Sequence, residues 1–198
     1  MCVVASSDNV IQGKFYDMDL TASVALYGDI APFTILDSTS VDIRVNAKLR
    51  SIASNTATFL HAAKSDKIFI RDGIYEEVGG NFMNFDSRNS NFTVERNFVN
   101  VTRAVGDNGI FMLNNQQHTG GPYTSTGTMS YSDNVVVLSG GVTGNTNIFT
   151  FNANGAGPIV NGIKCNNNVI VTKGLTGVAA ARAINLGSGT NRAIIQQN

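Results

Sequence analysis

The chain has no tryptophan, three prolines and two cysteines, and only 14% of its 198 residues are charged. Each scarcity excludes something. Cys2 and Cys165 form no C-x-x-C spacing, so they read as reduced thiols and not as zinc ligands or a disulfide framework. No dense basic run exists, which excludes a nucleic-acid footprint. No apolar run approaches the length of a membrane span, so membrane insertion is not expected. Met1 to Val10 lacks a charged start and a long apolar core, so it does not read as a secretory signal. There is no Walker loop, no G-x-S-x-G and no convincing Cys–His pair, and no cofactor or metal is expected.

Disorder is also excluded. Hydrophobic residues make up 42% of the chain, and Val, Ile and Phe alternate with Asn, Gly, Ser and Thr. Turn-formers interleaved with β-branched and aromatic residues predict many short strands. Net charge is zero, but Asp133 is the last acid. Beyond it come only Lys164, Lys173, Arg182 and Arg192.

One phrase recurs: small polar residues, then apolar, any, apolar, then a polar or Gly turn. It reads Ser132-Asp133-Asn134-Val135-Val136-Val137 and Asn166-Asn167-Asn168-Val169-Ile170-Val171. Earlier copies begin their apolar part at Val10, Val41, Ile68 and Phe92, and a worn one at Ala193. Self-similarity at roughly 20–50 residues marks a solenoid or array. Taking this phrase as strand A, a strand C follows at Tyr16–Leu20, Val45–Leu49, Ile74–Val78 and Phe98–Val101, and weakly at Val142 and Leu175. A strand B falls at Val24–Tyr27, Phe59–Ala62, Phe82–Phe85, Ile110–Leu113, Ile148–Phe151 and Ala183–Leu186.

The expected fold is all-β: a right-handed, single-stranded parallel β-helix of six to seven coils with three short strands each. It fills residues 1–198 as one domain, with a long loop at about 114–131. The Asn residues before strand A are expected to stack in a hydrogen-bonded ladder. The rival is an antiparallel sandwich or propeller, suggested by Asp72-Gly73, Asn108-Gly109, Asn154-Gly155 and Asn161-Gly162. It does not explain one phrase repeating in one direction.

Inward positions are read as the first and third apolar residues of each strand A, including Val135 with Val137 and Val169 with Val171. Val137→Asp is then expected to prevent folding. The middle residues Ile11, Asp42, Phe69, Thr93, Val136 and Ile170 should point outward. Four of them are large and apolar, and such a stripe needs cover. Its cover is read as a homotrimer with the A sheets inward.

Ser-Asp-Asn-Val-Val-Val, Cys-Asn-Asn-Asn-Val-Ile-Val and Ala-Ile-Asn-Leu-Gly-Ser-Gly-Thr-Asn resemble the pectate-lyase-like right-handed parallel β-helix superfamily, and within it bacteriophage tailspikes. The resemblance covers nearly the whole chain as a pattern of fold. It implies a virion protein of the phage tail, a homotrimer that binds, and often cleaves, bacterial surface polysaccharide. The chain is expected to be a fragment of a longer protein or a small virion protein whose open ends other chains cover. The other readings are a non-enzymatic structural β-helix module and a stand-alone polysaccharide lyase or hydrolase.

Candidate site residues come from the C strands. Asp17, Asp19, Glu76 and Glu77 are the candidate catalytic carboxylates, because neighbouring carboxylates divide into acid and base in glycoside hydrolysis. Lys48 and Arg50 lie in the coil between them and, with His118 and Tyr123 of the long loop, are the candidate substrate-binding residues. The competing reading of the cluster is a surface ladder of ion pairs, each worth roughly 0–1 kcal/mol.

Overall fold

The short β-branched and aromatic runs form strands between polar corners. The computed structural model describes residues 2–4, 9–18, 33–36, 38–49, 58–63, 65–78, 81–85, 90–102, 111–114, 128–139, 146–152, 162–173, 181–186 and 193–197. In chain order the strands are β1 (Cys2–Val4), β2 (Asn9–Met18), β3 (Phe33–Leu36), β4 (Thr39–Leu49), β5 (Thr58–Ala63), β6 (Asp66–Arg71), β7 (Ile74–Val78), β8 (Asn81–Phe85) and β9 (Ser90–Glu95). They continue as β10 (Phe98–Val101), β11 (Phe111–Asn114), β12 (Met129–Ser132), β13 (Val135–Leu138), β14 (Thr146–Asn152), β15 (Ile163–Asn166), β16 (Val169–Thr172), β17 (Ala181–Leu186) and β18 (Ala193–Gln196). No helix occurs among the described residues, so none there is long and apolar enough to cross a membrane.

Every pairing among them is parallel. A seven-stranded sheet runs β1-β3-β5-β8-β11-β14-β17, and the other strands form an eleven-stranded sheet. From β5 to β17, each strand of the smaller sheet is followed by two of the larger before the chain returns, an order compatible with a parallel β-solenoid. The antiparallel rival is excluded for the described strands.

The larger sheet forks at β4. The N-terminal half of β4 pairs with β6, and its C-terminal half with β7. One branch continues β6-β9-β12-β15-β18 and is termed the A branch; the other, β7-β10-β13-β16, is termed the C branch. The fork has a local cause. β4 runs straight from Ile43 to Asn46, whereas in the next copy a corner intervenes between Ile70 and Ile74. Asp72 there has φ 57°, and Arg96, Asp133, Asn167 and Gln197 repeat that left-handed conformation in later copies. Asp and Asn adopt it more readily than most residues.

Behind each corner sits a buried residue: Gly73, Asn97, Asn134 or Asn168. The expected ladder is here. Gly73 N–H donates to Asn97 Oδ1 at 3.0 Å, Asn97 N–H to Asn134 Oδ1 at 3.1 Å, and Asn134 N–H to Asn168 Oδ1 at 3.1 Å. The amides also reach backbone carbonyls: Asn97 Nδ2 donates to Ile70, Asn134 Nδ2 to Val94 and Asn168 Nδ2 to Tyr131. The ladder thus satisfies buried polar groups at the bend, where strand pairing is interrupted.

The core lies between the sheets. Val41, Ile68, Phe92, Met129 and Ile163 form one buried column, and Ile43, Ile70, Val94, Tyr131 and Cys165 a second. Tyr131 bridges to the smaller sheet, with its ring centroid 5.2 Å from that of Phe149.

These columns correct the expected register. The counterparts of Phe92 are Met129 and Ile163, not Val135 and Val169. Val135–Leu138 and Val169–Thr172 belong to the C branch, paired with each other and, through β10, with Phe98–Val101. Their inward residues shift accordingly: Val136 and Leu138 are buried, while Val135 and Val137 are half-buried on the outward side. Val169 and Val171 are exposed, and Val137→Asp no longer addresses the core. The physical reason is the second corner. After the first corner, at left-handed Ser40, Lys67 or Asn91, the next residue points inward. After the second corner the ladder residue intervenes, so the strand begins outward.

The apolar stripe expected on the A strands is therefore not formed. Val136 is core, Ile170 packs against the core, and Ile11 pairs with buried Ile43. The outward row actually reads Asp42, Phe69, Thr93, Ser130, Lys164 and Ile194. The expected B strand at Val24–Tyr27, the weak C positions Val142 and Leu175, and the 115–127 part of the long loop lie outside the described residues.

Candidate functional site

Two outward rows run up the A branch. Beside the row just named stands Arg71, Glu95, Ser132, Asn166 and Gln196, neighbours in register on five successive strands. Every member of this second row carries hydrogen-bonding groups, spaced by the strand separation of about 4.8 Å. Ser132 and Asn166 are half-buried. Asn166 Oδ1 is enclosed and finds no donor among the described residues. An enclosed acceptor ordinarily has a donor.

One end of this face carries a network of three acids and three arginines. Arg44 lies two residues from Asp42 on the same strand face, and its Nη2 donates to Asp42 Oδ2 at 2.7 Å. Arg71 approaches from the next strand, its Nε donating to Oδ1 at 3.0 Å and its Nη2 to Oδ2 at 2.7 Å. The Arg71 guanidinium also lies 5.3 Å from the Phe69 ring centroid, a cation–π distance. Arg96 joins Glu95 at 2.7 Å and Asp72 at 2.7 Å.

Burial pushes the Asp42 carboxyl up, but the hydrogen bonds from Arg71 and Arg44 outweigh it and hold the group below its usual range. The Arg96 fork lowers Asp72 likewise. Lone pairs so engaged do not accept a substrate proton. These charges fasten strands and corners, and the guanidiniums are committed to carboxylates. Nothing in local sequence distinguished them, because the network joins Asp42 to Arg71 across 29 positions. The signal available was Asp42-x-Arg44, which places both side chains on one strand face.

Of the sequence candidates, Glu76 and Glu77 fall in β7 of the C branch, Lys48 in β4 and Asp17 in β2. Lys48 pairs in register with Glu76, as adjacent copies require, and the Glu76 side chain is exposed. Asp17 lies in β2, where the pairing with β4 is irregular between Phe15 and Met18. For Asp17, Lys48 and Glu77 the backbone alone is described. Asp19, Arg50, His118 and Tyr123 lie outside the described residues.

The buried hydroxyl and thiol groups belong to the core. Burial raises the Tyr75 phenol, raises Tyr131 with a further contribution from Cys165, and pushes the Cys165 thiol up to about 12. A thiol so raised is a poor nucleophile at neutral pH. No group of three or more His, Cys, Asp or Glu side chains placed to hold a metal ion occurs among the described residues. No family model, curated protein or solved structure matches the chain, so the resemblance to β-helix proteins rests on the strand pattern alone.

Proposed function

We propose that the chain is a right-handed parallel β-helix of six to seven coils, of the tailspike kind, whose A-branch face binds bacterial surface polysaccharide. The observation that carries this reading is the row Ser132, Asn166 and Gln196 beside Ser130 and Lys164, polar groups repeating at the strand pitch. A repeating polymer of hydroxyl-bearing units meets such a face with one hydrogen-bonding group after another. The half-buried ring of Phe69 adds an apolar surface at one end. The setting implied by the tailspike resemblance is a phage virion.

Cleavage belongs to this reading only through Asp17, Asp19, Glu76 and Glu77, of which Glu76 and Glu77 lie on β7, across the fork from the A branch. The second reading, a structural module without a glycan ligand, is favoured by Asp42, Asp72 and Glu95 all being engaged by arginines. Incubation with a panel of capsular polysaccharides and O-antigens separates the readings. Binding without released oligosaccharide supports the adhesin. Release that Glu76→Gln abolishes supports the carboxylate cluster. No binding to any member of a broad panel leaves the structural module.

A further inference from the structure

The two branches offer equivalent outward positions with different chemistry. On the A branch Thr93, Ser130 and Lys164 are polar, with Phe69 before them in the row and Ile194 after. On the C branch the first outward row is Ile74, Phe98, Val135 and Val169, side by side in register. Ile74 is 47% exposed, Phe98 38% and Val169 52%. Two residues along, Val137 lies beside Val171, which is 42% exposed. The fold does not require apolar residues there, since polar ones pair equally well on the A branch. A contiguous apolar patch of this kind marks an interaction surface.

The pitch of the patch identifies its partner. Branched and aromatic side chains standing on parallel strands form ridges about 4.8 Å apart, and sheets packed face to face interdigitate such ridges. A second copy of this chain presents the same pitch. The charges agree. Glu76 stands at the β7 end of the face and Lys173 just beyond β16 at the other, and they are the only charged residues among the described side chains of this face. A second copy turned end for end sets Glu76 of each copy across from Lys173 of the other, under a two-fold axis. Copies running in the same direction, as around a three-fold axis, set like charges together.

We propose that two copies of the chain pack face to face, in opposite directions, through the outward side chains of β7, β10, β13 and β16. Sedimentation equilibrium across the micromolar range tests it on the full chain. The expected mass is that of two chains. Phe98→Glu with Val169→Glu halves it while the circular dichroism spectrum is retained, and Thr93→Glu with Ser130→Glu on the A branch leaves it unchanged. Glu76→Lys weakens the pair, and adding Lys173→Glu restores it, which a general loss of folding does not imitate. A single-chain mass for the wild type, a three-chain mass, or assembly unaffected by the C-branch changes overturns the proposal. It uses a different face from the glycan reading, so either fails without the other.

Discussion

Asn134 donates twice to one atom: its backbone N–H and its Nδ2 reach Asn168 Oδ1 at 3.1 and 2.9 Å. The same side chain accepts the N–H of Asn97 and donates to the Val94 carbonyl. Asn134→Ala strips partners from buried groups on both neighbouring copies. Each unsatisfied group costs about 1–3 kcal/mol, so a total of about 2–5 kcal/mol is expected in urea unfolding. Asn134→Asp keeps the acceptor but loses the donor and buries a charge, and it should be at least as damaging. A loss below that of an exposed change such as Thr128→Ala would contradict the ladder.

Gly73 is held by space. A Cβ there would meet Tyr75 Cε2 at 2.6 Å and the Val45 carbonyl oxygen at 2.7 Å. Overpacking of a core typically costs about 1–3 kcal/mol, and Gly73→Ala is expected in that range by thermal or urea melts. In a double-mutant cycle, the cost of Gly73→Ala should shrink only in part in a Tyr75→Val background, because the carbonyl stays in place. A neutral Gly73→Ala would show that the corner yields.

Much of this was legible in sequence, and the failures were local. The polar phrase before Val41, Ile68 and Phe92 located those strands and their inward residues correctly. The same phrase before Val135 and Val169 misled, because two corners of the fold share one chemistry of Ser, Asp and Asn. The distinguishing feature is the buried Asn after the left-handed residue, which shifts the alternation by one. Met129–Ser132 and Ile163–Asn166 escaped notice for a related reason: of their inward residues Met129, Tyr131, Ile163 and Cys165, one alone is the Val or Ile that marks the other copies. The ion-pair network depends on the register between copies, which no local pattern carries.

Asp42 makes stability depend on acid. Its carboxyl is lowered in the folded protein, so the unfolded chain binds more protons near pH 4. The stabilisation is present above the unfolded value and is lost as pH falls through the folded one. Wild-type melting temperature is expected to drop more steeply below about pH 4 than that of Asp42→Asn, which should be less stable at neutral pH by about 1–3 kcal/mol. Parallel acid profiles would show that Asp42 contributes nothing.

Cys165 should be inert while the protein is folded. Burial keeps its thiol neutral up to about 12. In a Cys2→Ser background, alkylation at pH 8 is expected only after addition of denaturant. Rapid labelling of the native protein would contradict the burial of this column.

The central claim is that the two branches of one sheet divide the work, with the polar A face binding glycan. Titration of a bound panel polysaccharide against two variants tests it most directly. Ser132→Ala with Asn166→Ala should weaken binding by roughly tenfold or more, equivalent to about 1.4 kcal/mol, while Phe98→Glu on the C face leaves it unchanged. Unaltered affinity in the A-face variant, or a loss confined to the C-face variant, would contradict the account.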